Sequence, residues 1–555
     1  MPQSRAPGKK PRTALGVGAV DDAMANANCR LPMTTERVSR RSKEMQMRAD
    51  DALLQRVSLT VDPPSLSDTT SDWARVARTL RPRLDDRSLE PTLAVLRDLG
   101  PALRRGDWQV DATLADVGDT WRVVRVVPLG EASRTLGLAV DLGTSMVVAE
   151  LVDIESGAVL GSHLVYNGQR TFGMDVTSRM MHAEEPGGLE ALRQAALDSL
   201  NELVAALGAE ARVGQDDIAA VAMAGNTVMM HLLLGLDPGS IRREPYVPAA
   251  TAFPVLDVAQ VGLNVGEGAP LYLLPAASGY VGGDVTGGLL STRIADEEPL
   301  SILIDIGTNG ETVLGNREFL MACSGSAGSA FEGCGLEWGM AALPGAIDRV
   351  WADDGRLAYA TVGGQPPRGI CGSGLIEALG AFLQVGAIDR AGKVDLAAPS
   401  VRRREGYAEV VLASANETAV GRDIALRQGD IANLIRDKAA LYAGSRILLA
   451  NAGLAFADVE RVFIAGNFGQ SLEIEQAVRI GLLPDIPRER IQFIGNSSLA
   501  GAHAALLSRT AWRRAREIAS SITCLELTVE PRYFDEYTAA LFLPHTDRTL
   551  FPSLT

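Results

Sequence analysis

Two segments of the chain repeat one arrangement of side chains that can do chemistry. Residues 136–153 read LGLAVDLGTSMVVAELVD, and residues 300–316 read LSILIDIGTNGETVLGN. Each is an apolar run, then Asp-x-Gly-Thr, then a second apolar run, which predicts two strands joined by a tight turn. One such turn is typical of an ordinary hairpin. Two copies predict an internal duplication, with two similar lobes that face each other.

The residue types in these turns suit a phosphate group and a hydrated cation. Glycine lets the backbone turn sharply so that N–H groups can face a phosphate, and the hydroxyl groups that follow add donors. A carboxylate can hold Mg²⁺, which keeps several waters and prefers oxygen ligands. The first turn supplies Asp141, Gly143, Thr144 and Ser145. The second supplies Asp305, Gly307, Thr308, Asn309, Gly310 and Glu311.

The three carboxylates of these turns are the predicted catalytic residues. We expect Asp141 and Asp305, one from each lobe, to clamp a metal–triphosphate between them. Glu311 either orients an attacking water or supports the metal from behind, and the sequence leaves both roles open.

A third glycine turn lies later in the chain. VFIAGNFG at 462–469 is an apolar run that ends in Gly466-Asn467-x-Gly469. A glycine turn at this point would let an adenosine lie flat against the backbone.

The three turns, in this order, resemble those of the ATPase superfamily of actin, Hsp70 and sugar kinases. The resemblance implies a phosphate-1 loop at 141–145, a phosphate-2 loop at 305–311 and an adenosine loop at 465–469, with ATP and Mg²⁺ as ligands. It also implies that AGNTVMMHLLLG, with Gly225 and Asn226 at the nucleotide, is one connecting helix and that GNSSLAGA (495–502) begins the second. Relatives place a basic residue on the helix before the adenosine loop, which makes Lys438 a candidate. A solvated helix face is an equal alternative for that lysine.

Longer strings resemble a narrower family, the reductive activators of corrinoid proteins. In chain order they are LQRVSLTVDPPSLSD, GLAVDLGTSMVVAELVD, FGMDVTSRM, MAGNTVMMHLLLGLDP, PAASGYVGGDV, LIDIGTNGE, CSGSAGSAFEGC, GICGSGLIEAL and AGNFG. The resemblance covers roughly residues 52–545. It implies that the protein passes one electron to the inactive cobalt(II) of a corrinoid methyl-transfer protein and restores cobalt(I), with ATP hydrolysis driving the uphill step. The implied partner is that corrinoid protein, and a homodimer is compatible with the resemblance.

The chain departs from this family's pattern in its cysteines. The activators usually carry a ferredoxin-like [2Fe–2S] domain, held by four cysteines, ahead of the middle domain, whereas residues 1–51 contain only Cys29. The other four are Cys323, Cys334, Cys371 and Cys524, and no C-x-x-C pair occurs. We therefore expect small buried thiols, no iron–sulfur cluster in this chain, and a separate ferredoxin-like electron donor.

The elements that position the turns follow from composition and periodicity. The 555 residues are too many for one core. Residues 1–50 are basic and lack a sustained apolar period, which predicts a disordered tail. Residues 51–134 alternate strand-like and helix-like runs and predict a small α/β middle domain, and residues 135–545 predict the ATPase domain with repeats that begin near 136 and 300. The predicted fold class is α/β, with duplicated actin/Hsp70-like (ribonuclease H-like) lobes.

Charge and hydropathy exclude several partners. The net charge of −15 argues against nucleic acid, and no apolar stretch approaches the ~20 residues of a membrane span. The N terminus lacks the apolar segment of a signal peptide, so we expect a cytoplasmic protein.

Two other function classes use the same fold. A small-molecule kinase would need a catalytic carboxylate in a substrate cleft, and no sugar-specific constellation is recognisable in the sequence. A nucleotide-gated binding module would need a peptide-binding domain or a filament interface, and no segment suggests one.

Overall fold

A computed structural model describes residues 51–131, 134–325, 329–333, 335–466 and 472–554. The predicted disordered tail lies outside these residues. So do four of the residues singled out above, Cys29, Cys334, Asn467 and Gly469.

The first part of the chain forms a small two-layer α/β unit, in which one sheet packs against two helices. Its sheet has the order β1-β3-β4-β2, with β1 (Leu54–Thr60), β2 (Ser88–Pro91), β3 (Gln109–Asp116) and β4 (Thr120–Pro128). Two helices, α1 (Asp72–Leu80) and α2 (Leu93–Arg105), begin at Ser71 and Thr92, whose hydroxyls accept from the backbone three residues on. Alternate residues of β3, such as Val110 and Leu114, pack against the apolar faces of these helices.

Lobe I is built on a six-stranded sheet with the order β7-β6-β5-β8-β10-β9. Its strands are β5 (Leu136–Leu142), β6 (Met146–Asp153), β7 (Ala158–Tyr166), β8 (Ile218–Gly225), β9 (Leu256–Asp257) and β10 (Pro270–Leu273). Its helices are α3 (Val176–Ala183), α4 (Gly188–Ala211), α5 (Thr227–Leu234), α6 (Val258–Val261) and α7 (Gly283–Thr292).

Lobe II begins with a three-stranded meander of β11 (Ser301–Ile306), β12 (Gly310–Gly315) and β13 (Leu320–Gly325). Two small sheets follow, formed by β14 (Ala346–Asp353), β15 (Arg356–Thr361), β16 (Gly369–Ile370), β17 (Val401–Arg404), β18 (Tyr407–Ala413) and β19 (Ile424–Arg427). The main sheet is completed by β20 (Arg461–Ala465), β21 (Ile491–Gly495) and β22 (Ile522–Cys524), in the order β21-β20-β11-β12-β13-β22. The helices are α8 (Gly372–Gln384), α9 (Gln428–Ala452), α10 (Ile474–Arg479), α11 (Ser497–Leu507), α12 (Arg509–Ser521) and α13 (Tyr533–Ala540).

The two main sheets share one topology. In each, an antiparallel meander (β5-β6-β7 or β11-β12-β13) is extended by two parallel strands beside its first member (β8 and β10, or β20 and β21). The predicted duplication and the α/β fold class are therefore confirmed, and both Asp-x-Gly-Thr turns join the first two strands of their sheet.

Two helices cross between the lobes. Helix α7 follows the lobe I strands but packs Val285 and Leu289 on the lobe II sheet. Helix α11 follows the lobe II strand β21 but packs Leu499 and Leu506 on the lobe I sheet. They meet at glycines so closely that a Cβ on Gly501 would lie 2.2 Å from the Cα of Gly287.

This crossing corrects one expectation from the sequence. The segment after Asn226, which forms α5, was interpreted as one connecting helix, and the 495–502 segment as the start of the second. Helix α5 instead packs inside lobe I, where Val228 and Met229 join its core. The partner of α11 is α7.

None of the helices in the described part of the chain combines the length and the apolar character needed to cross a lipid bilayer.

Candidate functional site

The cleft between the lobes is lined by both Asp-x-Gly-Thr turns. Of the predicted site residues it contains Asp141, Gly143, Thr144, Ser145, Asn226, Asp305, Gly307, Thr308, Asn309, Glu311 and Gly466. It also contains residues that the sequence analysis did not single out, among them Asp284, Glu332, Asn496, Ser497 and Ser498.

Two predicted glycines lie behind the cleft rather than on it. A Cβ on Gly225 would come within 2.6 Å of the Leu142 carbonyl oxygen, so this glycine allows β8 to pass under the first turn. Gly310 begins β12 and pairs with Ile306 across the second turn.

The first turn is held in place by side chains of lobe I. Asn167 Nδ2 donates to the carbonyl of Gly143 (2.9 Å), and Arg179 Nη2 donates to the carbonyl of Thr144 (2.7 Å). Asn226, the N-cap of α5, donates from Nδ2 to Thr144 Oγ1 (2.9 Å). Because Asn167, Arg179 and Asn226 are all buried, the conformation of this turn is fixed from behind.

Asp141 is held by the start of the crossing helix α11. Ser498 Oγ donates to one carboxylate oxygen (2.7 Å) and Asn496 Nδ2 donates to the other (2.8 Å). Burial raises the pKa of Asp141, and these two hydrogen bonds to the charged form oppose that effect.

Four more carboxylates lie in the same cleft, namely Asp284, Asp305, Glu311 and Glu332. Burial, reinforced by nearby Asp284 and Asp141, raises the pKa of Asp305 to about 8. Burial also raises the pKa of Asp284 to about 7, with a contribution from Asp141. The pKa of Glu311 lies well above its usual range because the group is buried and faces Asp284 and Asp305.

This set of donors fits a hydrated divalent cation. No basic side chain is among the described residues that line the cleft, so the crowded carboxylates would gain from a positive ion. Within the described residues, no three His, Cys, Asp or Glu side chains converge closely enough to ligate a metal directly. Mg²⁺ suits such a site because it retains several waters and is bound through one or two carboxylates.

Glu332 joins the two turns and was missed by the sequence analysis. Ser145 Oγ donates to its Oε2 (2.7 Å), and Thr308 Oγ1 donates to the same oxygen. Burial raises the pKa of Glu332, and both hydrogen bonds oppose that effect. Its one signal in the sequence was its position in CSGSAGSAFEGC, one of the strings that carry the family resemblance.

Lys438 does not line the cleft. Its side chain is buried, and Nζ donates to the carbonyls of Ala540 (2.5 Å), Phe542 (2.8 Å) and Pro544 (2.6 Å) near the end of α13. Burial lowers the pKa of this lysine well below its usual range. Its position therefore does not support the predicted nucleotide contact, nor the solvated helix face.

Two of the three cysteines within the described residues lie on adjacent strands, since Cys524 of β22 pairs with Ala322, the neighbour of Cys323 in β13. Cys323 and Cys371 are buried, Cys524 is partly buried, and all three are free thiols. Burial raises the pKa of each thiol, as the sequence-based interpretation of small buried cysteines requires.

Three family profiles match consecutive parts of the chain. They are described as the RACo linker region (residues 43–132), the RACo middle region (136–297) and the C-terminal domain of RACo, the ASKHA domain (299–555). The profiles thus apply the name "middle region" to lobe I, whereas the sequence analysis applied it to residues 51–134.

Individual proteins with related sequences have names that agree with these profiles. The chain is 33% identical over 427 residues to the corrinoid activation enzyme RamQ of Eubacterium limosum, covering 75% of this chain and 72% of that protein. It is 24% identical over 425 residues to the [Co(II) methylated amine-specific corrinoid protein] reductase of Methanosarcina barkeri, covering 70% of this chain and 73% of that protein. Among solved structures, the reductive activator for a corrinoid, iron–sulfur protein superposes with a TM-score of 0.85 at 43% identity, covering 91% of this chain and 81% of that one.

Proposed function

The chain belongs to the family of corrinoid-protein reductive activators that the RACo profiles describe, and from this membership we propose that it carries out ATP-dependent reduction of a corrinoid protein from cobalt(II) to cobalt(I). The observation that carries the proposal is the meeting of two Asp-x-Gly-Thr turns, one from each lobe, in a single acidic cleft. Such a cleft is suited to a metal–triphosphate, and a nucleotide between two lobes can couple its own state to their arrangement.

Mg²⁺ and ATP fit the donors of this cleft. Asp141 and Asp305 would hold the ion through its waters, and the hydroxyls of Thr144, Ser145 and Thr308 would donate to phosphate oxygens. When bound, Mg²⁺ neutralises charge on the phosphates. Three further residues would act around the triphosphate: Gly466 on the adenosine side, Asn309 on the phosphate-2 loop, and Glu311, which either orients water or supports the metal.

The electron comes from outside the described residues. Their three cysteines are free thiols, and no group of three or more His, Cys, Asp or Glu side chains that could hold a metal ion occurs among them. A ferredoxin-like donor is the class of protein that supplies single electrons at low potential. The chain's own contribution is then to bind the corrinoid protein and to couple nucleotide turnover to the reduction.

ATP is needed because the transfer of an electron to cobalt(II) is unfavourable in free energy. For a one-electron step, about 60 mV corresponds to ~1.4 kcal/mol. Nucleotide can supply that free energy only if its state changes the affinity for the corrinoid partner. We therefore expect tighter binding to the cobalt(II) form than to the cobalt(I) or methylated form, and weaker binding when ATP is present.

The test is the appearance of the cobalt(I) absorption band. The mixture contains a corrinoid protein, this chain, a ferredoxin or chemical reductant, and Mg–ATP. We expect the band with the wild type and with a matched control, Asp86→Ala, which removes an exposed aspartate of the first domain. Asp305→Ala should not produce it. Equal rates with Asp305→Ala, or no band with any encoded corrinoid protein, would overturn the proposal in favour of a small-molecule kinase.

A further inference from the structure

Glu332 lies on a loop that is anchored in lobe II. The loop follows β13, and Phe331, the residue before Glu332, is fully buried in the lobe II core. One residue earlier, the N–H of Ala330 donates to Asp437 Oδ2 of helix α9 (2.8 Å). The backbone on the N-terminal side of Glu332 is therefore tied to lobe II by a buried hydrogen bond and by an aromatic side chain in the core.

The carboxylate of Glu332 reaches both phosphate loops at once. Its Oε2 accepts from Ser145 Oγ of lobe I (2.7 Å) and from Thr308 Oγ1 of lobe II. The two hydroxyl oxygens lie 3.2 Å apart. A single carboxylate oxygen thus connects the two lobes at the point where their turns face each other.

The same hydroxyls are the phosphate donors of the proposed function. A phosphate oxygen and a carboxylate oxygen are both anionic acceptors, and each prefers short hydrogen bonds from hydroxyl groups. Two such anions cannot share one pair of donors. Their mutual repulsion is also larger for a buried carboxylate than for one in bulk water.

We propose that Glu332 is an interlobe latch that competes with nucleotide phosphates for Ser145 and Thr308. The inference rests on the proposed function, since it assumes that the triphosphate occupies these loops. Phosphate binding displaces the carboxylate from Ser145 and so removes a direct link between lobe I and the lobe II loop. The two arrangements, with the latch engaged or displaced, are the distinct states through which nucleotide can alter affinity for a partner.

The charge of Glu332 is tested with the isosteric variant Glu332→Gln. Dissociation constants of Mg–ATP, Mg–ADP and adenosine are measured by titration calorimetry on the full chain. We expect the variant to bind Mg–ATP about tenfold more tightly, because the competing anion is gone. The gain should be smaller for Mg–ADP and absent for adenosine, which carries no phosphate. A loss of folding alone would not produce such a series.

Two further variants separate charge from other effects. Glu332→Asp keeps the negative charge in the same loop, so Mg–ATP binding should stay near the wild-type value. Glu337→Gln is the matched control, because it removes one charge from the same loop at a side chain that pairs with Arg422 and Arg427 instead of the turns. It should change none of the three dissociation constants.

The outcomes distinguish the latch from the function on which it rests. If Glu332→Gln binds Mg–ATP as the wild type does, or more weakly, the latch is wrong while nucleotide binding stands. A larger dissociation constant for Mg–ATP would mean that the carboxylate helps to hold the metal–nucleotide. If neither the wild type nor any variant binds a nucleotide, the proposed function fails and the latch fails with it.

Discussion

Asp141 and Asp305 occupy the same position in two copies of one strand–turn–strand unit, yet their surroundings differ. Asp141 accepts hydrogen bonds from Ser498 and Asn496, and its turn is held from behind by buried side chains. Within the described residues, no side chain donates to Asp305, and the groups that act on its charge are the carboxylates Asp284, Asp141 and Glu332. The duplicated backbone is similar, but side chains from other elements give the two copies different electrostatics.

This difference suggests a division of labour. The lobe I aspartate is already stabilised as an anion by two donors, so it is oriented before any ligand binds. Burial and nearby negative charges disfavour the ionised form of the lobe II aspartate, so a bound cation would stabilise this anion more than the lobe I anion. Substitution of each aspartate tests this contrast.

The largest expected effect is on ATP hydrolysis. Asp305→Asn and Asp141→Asn should each lower kcat by more than about a hundredfold, because each removes one of the two charges that the proposed function assigns to the metal. The measurement is phosphate release at saturating Mg–ATP, with circular dichroism to confirm the fold. Near-normal turnover of either variant would show that its lobe contributes no essential charge.

A smaller effect is expected on stability without Mg²⁺ and nucleotide. The folded pKa of Asp305 is about 8 and that of Asp284 about 7, far above their unfolded value near 3.8. Between these values the native carboxyls hold protons that the unfolded chain releases, so raising the pH favours unfolding. We expect the melting temperature of the wild type to fall as pH rises from about 4 to about 8, and to level off above pH 8, where both states are ionised.

The contrast between the lobes sharpens this pH prediction. Asp305→Asn should reduce the decline in melting temperature with pH and raise the melting temperature at pH 8. The reason is that the substitution removes a carboxyl group whose ionised form is disfavoured in the folded protein. Asp141→Asn should raise the melting temperature at pH 8 by less, because it removes one of the two oxygens that accept hydrogen bonds from Ser498 and Asn496. Identical profiles for the two variants would contradict the proposed division of labour.

The smallest expected effect on the cleft comes from Lys438→Met. This lysine holds three carbonyls at the end of α13 and does not line the cleft, so the variant should leave the Mg–ATP dissociation constant unchanged. Chemical denaturation should show a loss of about 1–3 kcal/mol, because the three carbonyls lose their donor. A marked loss of nucleotide affinity in a stably folded variant would restore the predicted contact.

Much of the fold was predictable because its signals are local. An apolar run before Asp141 or Asp305 predicts a strand, and the Gly-Thr that follows predicts its turn, from within a few residues. The repetition of this unit then predicts two lobes with facing turns. Gly143 illustrates the point, since a Cβ there would lie 2.5 Å from the carbonyl oxygen of Met146 in the same turn.

The rest of the cleft depends on contacts between residues far apart in the chain. Asn496 and Ser498 reach Asp141 only because α11 crosses to the sheet of the other lobe, and Asp284 faces the lobe II turn because α7 crosses in return. Periodicity and turn preferences cannot predict that two helices cross to the opposite lobe, since both describe neighbours along the chain. The same limit explains why Lys438, on a helix whose existence was predicted, contacts the carbonyls at the end of α13 and does not line the cleft. Local sequence thus determined the repeated turns, and the packing of the crossing helices decided which side chains surround them.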